Sequence, residues 1–193
     1  TASAANAFST NSATTVNTGG TLNLGGFAQG INAVSLAGGT LKNGSLTGTI
    51  TSTGGAVNGI NGSASLTSTS GTTTLSGTNG YTGATTVNGG TLTAGGTNAF
   101  SANSSTTVNA GGILNLNNYN QTIGALSGAG TTALGSANLT VGSNNSSTSY
   151  TGAMTGTGGL TKVGSGTMTV GSLAFTGSTN VNAGTLALTS GSS

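Results

Sequence analysis

The chain has 193 residues, 38 of them glycine, and its only charged side chains are those of Lys42 and Lys162. It contains no Asp, Glu, Arg, His, Cys or Pro. General acid-base catalysis, metal binding by carboxylates or imidazoles, and thiolate chemistry all need side chains that this sequence lacks. We therefore expect no enzymatic activity, no catalytic, cofactor-binding or metal site, and no cofactor.

The low charge also limits the partners of the chain. A net charge of +2 from two lysines far apart in sequence does not make a phosphate-binding patch, so we expect no nucleic acid partner. No apolar run reaches the roughly 18 residues that span a bilayer, so we expect no membrane insertion by this chain. The opening segment TASAANAFSTNS lacks the basic and apolar regions of a signal peptide, as expected for a mature or excised piece of a longer product.

The first recognisable element is TTVNTGGTLNL, which begins at Thr14. It predicts a short strand, a glycine-centred turn and a second short strand, with Val16, Leu22 and Leu24 facing inward. Glycine suits bends that need positive φ, and asparagine tolerates the same region. The same element recurs as TTVNGGTLTA at Thr85, TTVNAGGILNL at Thr106 and TNVNAGTLAL at Thr179.

These elements lie within a longer repeat. Residues 6–38 match residues 98–130 at an offset of 92, with Phe8 aligned to Phe100 and Gln29 to Gln121. Residues 81–92 then match residues 175–186 at an offset of 94. We therefore predict one continuous domain over residues 1–193, built from two internal repeats of about 92 residues at approximately 6–97 and 98–189.

Each strand pair buries only one row of small aliphatic side chains, so it must stack on its neighbours to be stable. The apolar positions show no period of 3.6 residues, which argues against helix. Parallel coils of roughly 20 residues, stacked about 4.8 Å apart, would give nine or ten coils and a rod on the order of 45 Å long. This predicts an all-β parallel β-solenoid. An antiparallel β-sandwich is the alternative, since hairpins also use Asn-Gly turns, and a flexible linker is a third interpretation.

The segment GTGGLTKVGSGTMTVGSLAFTGSTNVNAGTLAL, residues 156–188, resembles the autotransporter-associated β-strand repeat of bacterial passenger domains. A more degenerate copy begins at Leu66 and continues through Tyr81-Thr82-Gly83 to Leu92. The resemblance implies a right-handed parallel β-helix that is exported and displayed at, or released from, the bacterial cell surface. The stretch of amphipathic strands that forms a membrane barrel in such proteins is not found in these residues.

Individual side chains carry further expectations. The degenerate copy has Ser68 where the other has Lys162, which predicts that this lysine is not required by the fold. Both lysines are expected to be exposed to solvent, where charge protects strand edges. The aromatic residues are expected to pack at coil corners; they include Phe27, Tyr81, Tyr119 and Tyr150.

The leading functional hypothesis is a structural extracellular subunit that self-associates by head-to-tail stacking into filaments or a surface layer. Its reason is that a solenoid has two exposed terminal coils, and no charged cap can be built from these residues. The alternative is an adhesin passenger domain that binds cell-surface or matrix components or mediates aggregation.

A minor alternative is an ice-binding solenoid, because Thr-x-Thr units can form a ladder of outward hydroxyls. Their irregular spacing along the chain argues against a single regular array. The units are Thr47 to Thr53 at alternate positions, Thr72 and Thr74, Thr91 and Thr93, and Thr167 and Thr169.

Overall fold

The computed structural model describes residues 1–189, and these residues form strands, turns and bends without a helix. The last four residues of the predicted domain, 190–193, lie outside the described part. No helical segment within residues 1–189 has the length and apolar character of a membrane span. The eighteen strands are β1 (Ala13–Asn17), β2 (Thr21–Asn23), β3 (Ala28–Asn61), β4 (Ser65–Ser68), β5 (Thr72–Ser76), β6 (Thr85–Val87), β7 (Gly90–Ala94), β8 (Ser105–Val108), β9 (Gly112–Asn115), β10 (Gln121–Ile123), β11 (Ala125–Gly128), β12 (Thr131–Gly135), β13 (Leu139–Val141), β14 (Thr148–Gly156), β15 (Leu160–Lys162), β16 (Thr167–Phe175), β17 (Thr179–Val181) and β18 (Thr185–Leu188).

The strands line three faces of a coil. Face 1 contains β1, β4, β6, β8, β11, β18 and parts of β3, β14 and β16. Face 2 contains β2, β5, β7, β9, β12 and the other parts of β3, β14 and β16. Face 3 contains β10, β13, β15 and β17. Three strands are long because they run from one face onto the next without a break in pairing.

Every strand pairing among the described residues is parallel, so the predicted parallel β-solenoid is confirmed and the antiparallel sandwich is wrong. Thr49 pairs with Ser65, 16 residues further on, and Gly128 pairs with Tyr150, 22 residues further on. The coil length therefore varies around the predicted 20 residues. Face 2 receives nine strand segments, which gives about nine turns, as the sequence predicted.

The core is a single column of aliphatic side chains along the axis. Val16, Leu22 and Leu24 are all buried, as the alternation in TTVNTGGTLNL predicted. In register, Val16 stacks on Leu36 and Leu22 on Leu41, so each coil covers the apolar row of its neighbour. No buried side-chain nitrogen or oxygen within residues 1–189 lacks a hydrogen-bond partner. The narrow core is thus both dry and fully hydrogen-bonded.

Glycine allows the coil to turn its corners closely. Gly128 ends β11 with φ of 106°, and a Cβ there would overlap the carbonyl oxygen of Val108 on the coil below. Any side chain at this corner would therefore be strained in its backbone and would collide with the adjacent rung.

Several contacts recur at the offset of 92 residues that the sequence showed. Gln29 donates from Nε2 to the Ala4 carbonyl at 2.7 Å, and Gln121 donates to the Gly96 carbonyl at the same distance. Both side chains also accept a backbone N–H, from Phe8 and Phe100 respectively. The division into two repeats at residue 97 remains a prediction.

Candidate functional site

The described residues bring no set of catalytic or metal-binding side chains together. Within residues 1–189 there is no group of three or more residues of the metal-ligating types. The two lysines lie on different faces: Lys42 is on face 2, in register with Asn23, and Lys162 is on face 3, in register with Leu-to-Val positions of the core. The features that remain are a buried amine, buried hydroxyl networks, a row of surface hydroxyls and the two end coils.

Lys162 is buried, with 1% of its surface exposed, so the expectation of a solvent-exposed lysine is wrong at this position. Its Nζ donates to the carbonyl oxygens of Val163 at 2.5 Å and Gly164 at 2.9 Å, and more weakly to Ala183 at 3.4 Å. Burial lowers the pKa of this amine, because removal from water disfavours the charged form. The amine therefore fills a cage of backbone carbonyls at the turn between β15 and β16.

Glycines make room for this amine. A Cβ at Gly142 would lie 3.2 Å from Nζ, and one at Gly184 would lie 2.9 Å away. The coils below and above Lys162 thus both present bare backbone to its side chain. In the degenerate copy, Ser68 donates its hydroxyl to the Gly89 carbonyl at 3.3 Å, 21 residues ahead, just as Lys162 reaches Ala183. The two side chains bond equivalent carbonyls of the next coil, and the lysine bonds two further carbonyls.

Two tyrosines anchor hydroxyl networks inside the coil. Tyr81 bonds Thr85 at 2.9 Å, and Thr85 bonds Ser104 at 2.8 Å. Burial raises the pKa of Tyr81 to about 12, which its hydrogen bond to Thr85 only partly offsets. Tyr150 bonds Thr132 at 2.9 Å and donates to the Gly130 carbonyl at 2.7 Å. Both phenols stay protonated at neutral pH, so they act as structural donors.

Two other aromatic residues differ from the expectation of packing at corners. Phe27 and Tyr119 do lie in turns, where each backbone N–H bonds the carbonyl three residues earlier, of Leu24 and Leu116. Their rings, however, are exposed to solvent. They lie 92 residues apart in equivalent turns and offer two separate aromatic contacts on the side of the rod.

Face 1 carries an outward row of hydroxyls that the sequence spacing did not reveal. Thr51, Thr67, Thr86, Thr107 and Ser127 stand in register on consecutive coils. None of these side chains is buried, and Thr107 and Ser127 are hydrogen-bonded at 2.9 Å. The row continues with Ser149 and Thr169 near one end and with Thr15 and Ser35 near the other. Irregular spacing along the chain thus becomes a regular row in space, since coil length varies.

The two end coils differ in how their apolar residues are covered. At the N-terminal end, Val16 and Leu22 are only 6% and 8% exposed, and they line a shallow depression of about 350 Å³. At the C-terminal end of the described part, Val181 is 49% exposed and Leu188 is 68% exposed. The last coil therefore presents apolar side chains and backbone edges that inner coils cover.

Comparison with known protein families finds the passenger-associated-transport-repeat at residues 70–94 and 160–188. These are the segments on which the resemblance was based, so the predicted similarity to autotransporter passenger domains is confirmed. No curated protein and no solved structure matches the chain. With its parallel coils, the chain is a β-helix of the autotransporter passenger type, a class that implies exposure outside the bacterial cell.

The two matched segments occupy different faces of the coil. Thr85–Val87, in the first match, lies on face 1, whereas Thr179–Val181, in the second, lies on face 3. The same sequence element therefore forms a corner in either of two positions, and its strands do not depend on one particular face.

Proposed function

We propose that this polypeptide is a non-enzymatic structural module of the bacterial cell surface that associates end to end into filaments or a layer. The observation that carries the proposal is the last described coil, where Val181 and Leu188 are exposed although equivalent residues are buried on inner coils. An exposed row of apolar side chains with unpaired strand edges favours addition of another coil.

Electrostatics supports the same proposal. Soluble solenoids end in polar or charged caps, and strand edges are commonly protected by lysine. Neither end coil has a charged side chain on its surface, because Lys162 is turned inward and Lys42 lies on an inner coil. Two copies therefore approach without repulsion between side chains.

The direct test is concentration-dependent sedimentation of the purified polypeptide at neutral pH. We expect a sedimentation coefficient that rises with concentration and rod-like assemblies in electron micrographs. Monodisperse short rods at all concentrations would refute end-to-end association.

Adhesion is the second candidate, favoured by the passenger-type repeats and by the exposed rings of Phe27 and Tyr119. In this role the side of the rod, rather than its ends, would bind cell-surface or matrix components. Cell attachment by protein that is kept monomeric would support it, and loss of attachment on replacing both rings with Ser would locate the surface.

Ice binding is a minor candidate, favoured by the hydroxyl row on face 1. Outward hydroxyls repeated at the coil spacing of about 4.8 Å form a periodic surface. Thermal hysteresis that disappears in a Thr86→Lys variant would support it, and absence of hysteresis in the wild type would exclude it.

A further inference from the structure

An inner junction between two coils supplies a template for contact between two copies of the chain. The lower side of this junction is formed by residues 81–92 and the upper side by residues 101–114. Val87 and Val108 pair across it and are both completely buried. We call this contact the inner junction.

Side chains as well as strands hold the inner junction. Ser101 donates to the Tyr81 carbonyl at 2.6 Å, and Ser104 donates to the Gly83 carbonyl at 2.7 Å. Ser104 also bonds the Thr85 hydroxyl. At the next corner, the amide of Asn109 donates to the side chain of Asn88 at 2.6 Å.

The upper side of the inner junction recurs at the N-terminal end of the chain. Every residue that makes the contacts above has an identical counterpart 92 positions earlier, and so do the core residues beside them. The local turn is the same, since Ser12 N–H bonds the Ser9 carbonyl at 3.3 Å, as Ser104 N–H bonds that of Ser101. The counterparts are Ser9, Ser12, Thr14, Val16, Asn17, Gly20 and Leu22.

The lower side recurs on the last described coil, 94 positions later. Only the aromatic residue changes, from Tyr81 to Phe175, and its contact in the inner junction is made by the backbone carbonyl. The remaining counterparts are identical: Gly177, Thr179, Val181, Asn182, Gly184, Thr185 and Leu186.

Both recurring surfaces are open. Ser12 and Asn17 are exposed at one end, and Thr179 and Asn182 are exposed at the other, whereas Ser104 and Thr85 in the inner junction are buried. Neither surface carries a charge that would oppose contact.

We infer that the end coil at residues 175–188 binds residues 9–22 of a second copy in the register of the inner junction. This inference rests on the proposed self-association and specifies its contacts. Thr179 would pair with the partner subunit's Thr14, as Thr85 pairs with Thr106. Because Thr85 lies on face 1 and Thr179 on face 3, the second copy is rotated about the axis by one face. The contact is heterologous, so it continues into a filament.

Two blocking variants test this register. Thr179→Lys places a charge on the C-terminal surface, and Thr14→Lys places one on the N-terminal surface. An unpaired charge buried in an interface costs enough to weaken association at least about 30-fold. Ile113→Lys is the matched control, since Ile113 faces outward on β9 and is partly exposed. Circular dichroism checks that each variant is folded.

We expect each blocked variant to sediment as a monomer under conditions where the wild type and Ile113→Lys assemble. A one-to-one mixture of the two variants keeps one open surface of each kind and should form dimers and nothing larger. Assembly of either blocked variant alone, as polymers or as dimers, would overturn the inferred contact while leaving self-association intact. A wild type that never assembles would refute both.

Disulfide trapping gives a second test that does not depend on the lysine variants. The chain has no cysteine, so Asn17→Cys and Asn182→Cys introduce single thiols at exposed positions. Oxidation of a mixture of these two chains should give a covalent heterodimer, as the contact between Asn109 and Asn88 predicts. Asn17→Cys mixed with Ile113→Cys is the control. Equal yields from the two mixtures would overturn the inference.

Discussion

Replacing the buried amine of Lys162 should destabilise the solenoid. In Lys162→Met the side chain keeps its length and apolar stem but donates no hydrogen bond. The carbonyls of Val163 and Gly164 then lose donors at 2.5 and 2.9 Å. Leaving a buried acceptor unsatisfied costs about 1–3 kcal/mol.

Part of this cost is offset, because a buried ammonium also carries a desolvation penalty. Burial does lower the pKa of Lys162, which shows that this penalty is present. With two carbonyls losing donors and the penalty removed, we expect a net loss of about 2 kcal/mol in the free energy of unfolding.

Urea denaturation followed by circular dichroism measures this loss. Lys42→Met is the control, since it removes the same charge from a side chain that is not buried and has no hydrogen bond among the described residues. We expect its effect to stay within about 0.5 kcal/mol of zero. If Lys162→Met were as stable as Lys42→Met, the carbonyl cage would contribute nothing and the reasoning would fail.

Two further predictions concern packing and pH. Gly158→Ala should destabilise by about 3 kcal/mol or more, because the added methyl would overlap the Ala137 carbonyl, whereas Gly96→Ala, with open space around it, should change stability little; thermal melts of the two variants compare them directly. Stability should be nearly constant from about pH 4 to 9, since no acidic or histidine side chain titrates there. Above about pH 10 the raised pKa of Tyr81 makes its unfolded form lose a proton first, so up to about 2.7 kcal/mol is lost by pH 12, while the lowered pKa of Lys162 acts in the opposite direction. Tyr81→Phe should flatten the alkaline fall in urea midpoints, and an unchanged alkaline slope would contradict this assignment.

The sequence predicted the fold well because the solenoid repeats a local pattern. Val16 and Leu22 alternate with polar residues around a glycine-rich turn, and that alternation alone indicates which side chains face the axis. The long strand β3 was not predicted, since it continues through corners where the backbone pairs with neighbouring coils without interruption. Continuity of pairing is a property of the stacked coils and leaves no mark in a short window.

The candidate surfaces were less predictable than the fold. Composition alone excluded acid-base and metal chemistry, but the burial of Lys162 depends on Ala183, 21 residues away on the next coil. The hydroxyl row was hidden for a related reason: coils of 16 and 22 residues place Thr51 and Thr67, or Ser127 and Ser149, side by side at unequal distances in sequence. Contacts between coils, not within them, decided both features.

The axial period of the assembled polypeptide tests end-to-end association most directly. Electron microscopy of filaments at high protein concentration should show unbranched rods one solenoid wide. Their repeat should be close to the length of one subunit, on the order of 45 Å, with the coil spacing of about 4.8 Å continuing through each junction. Monodisperse short rods, or sheets formed by lateral contact alone, would contradict the account.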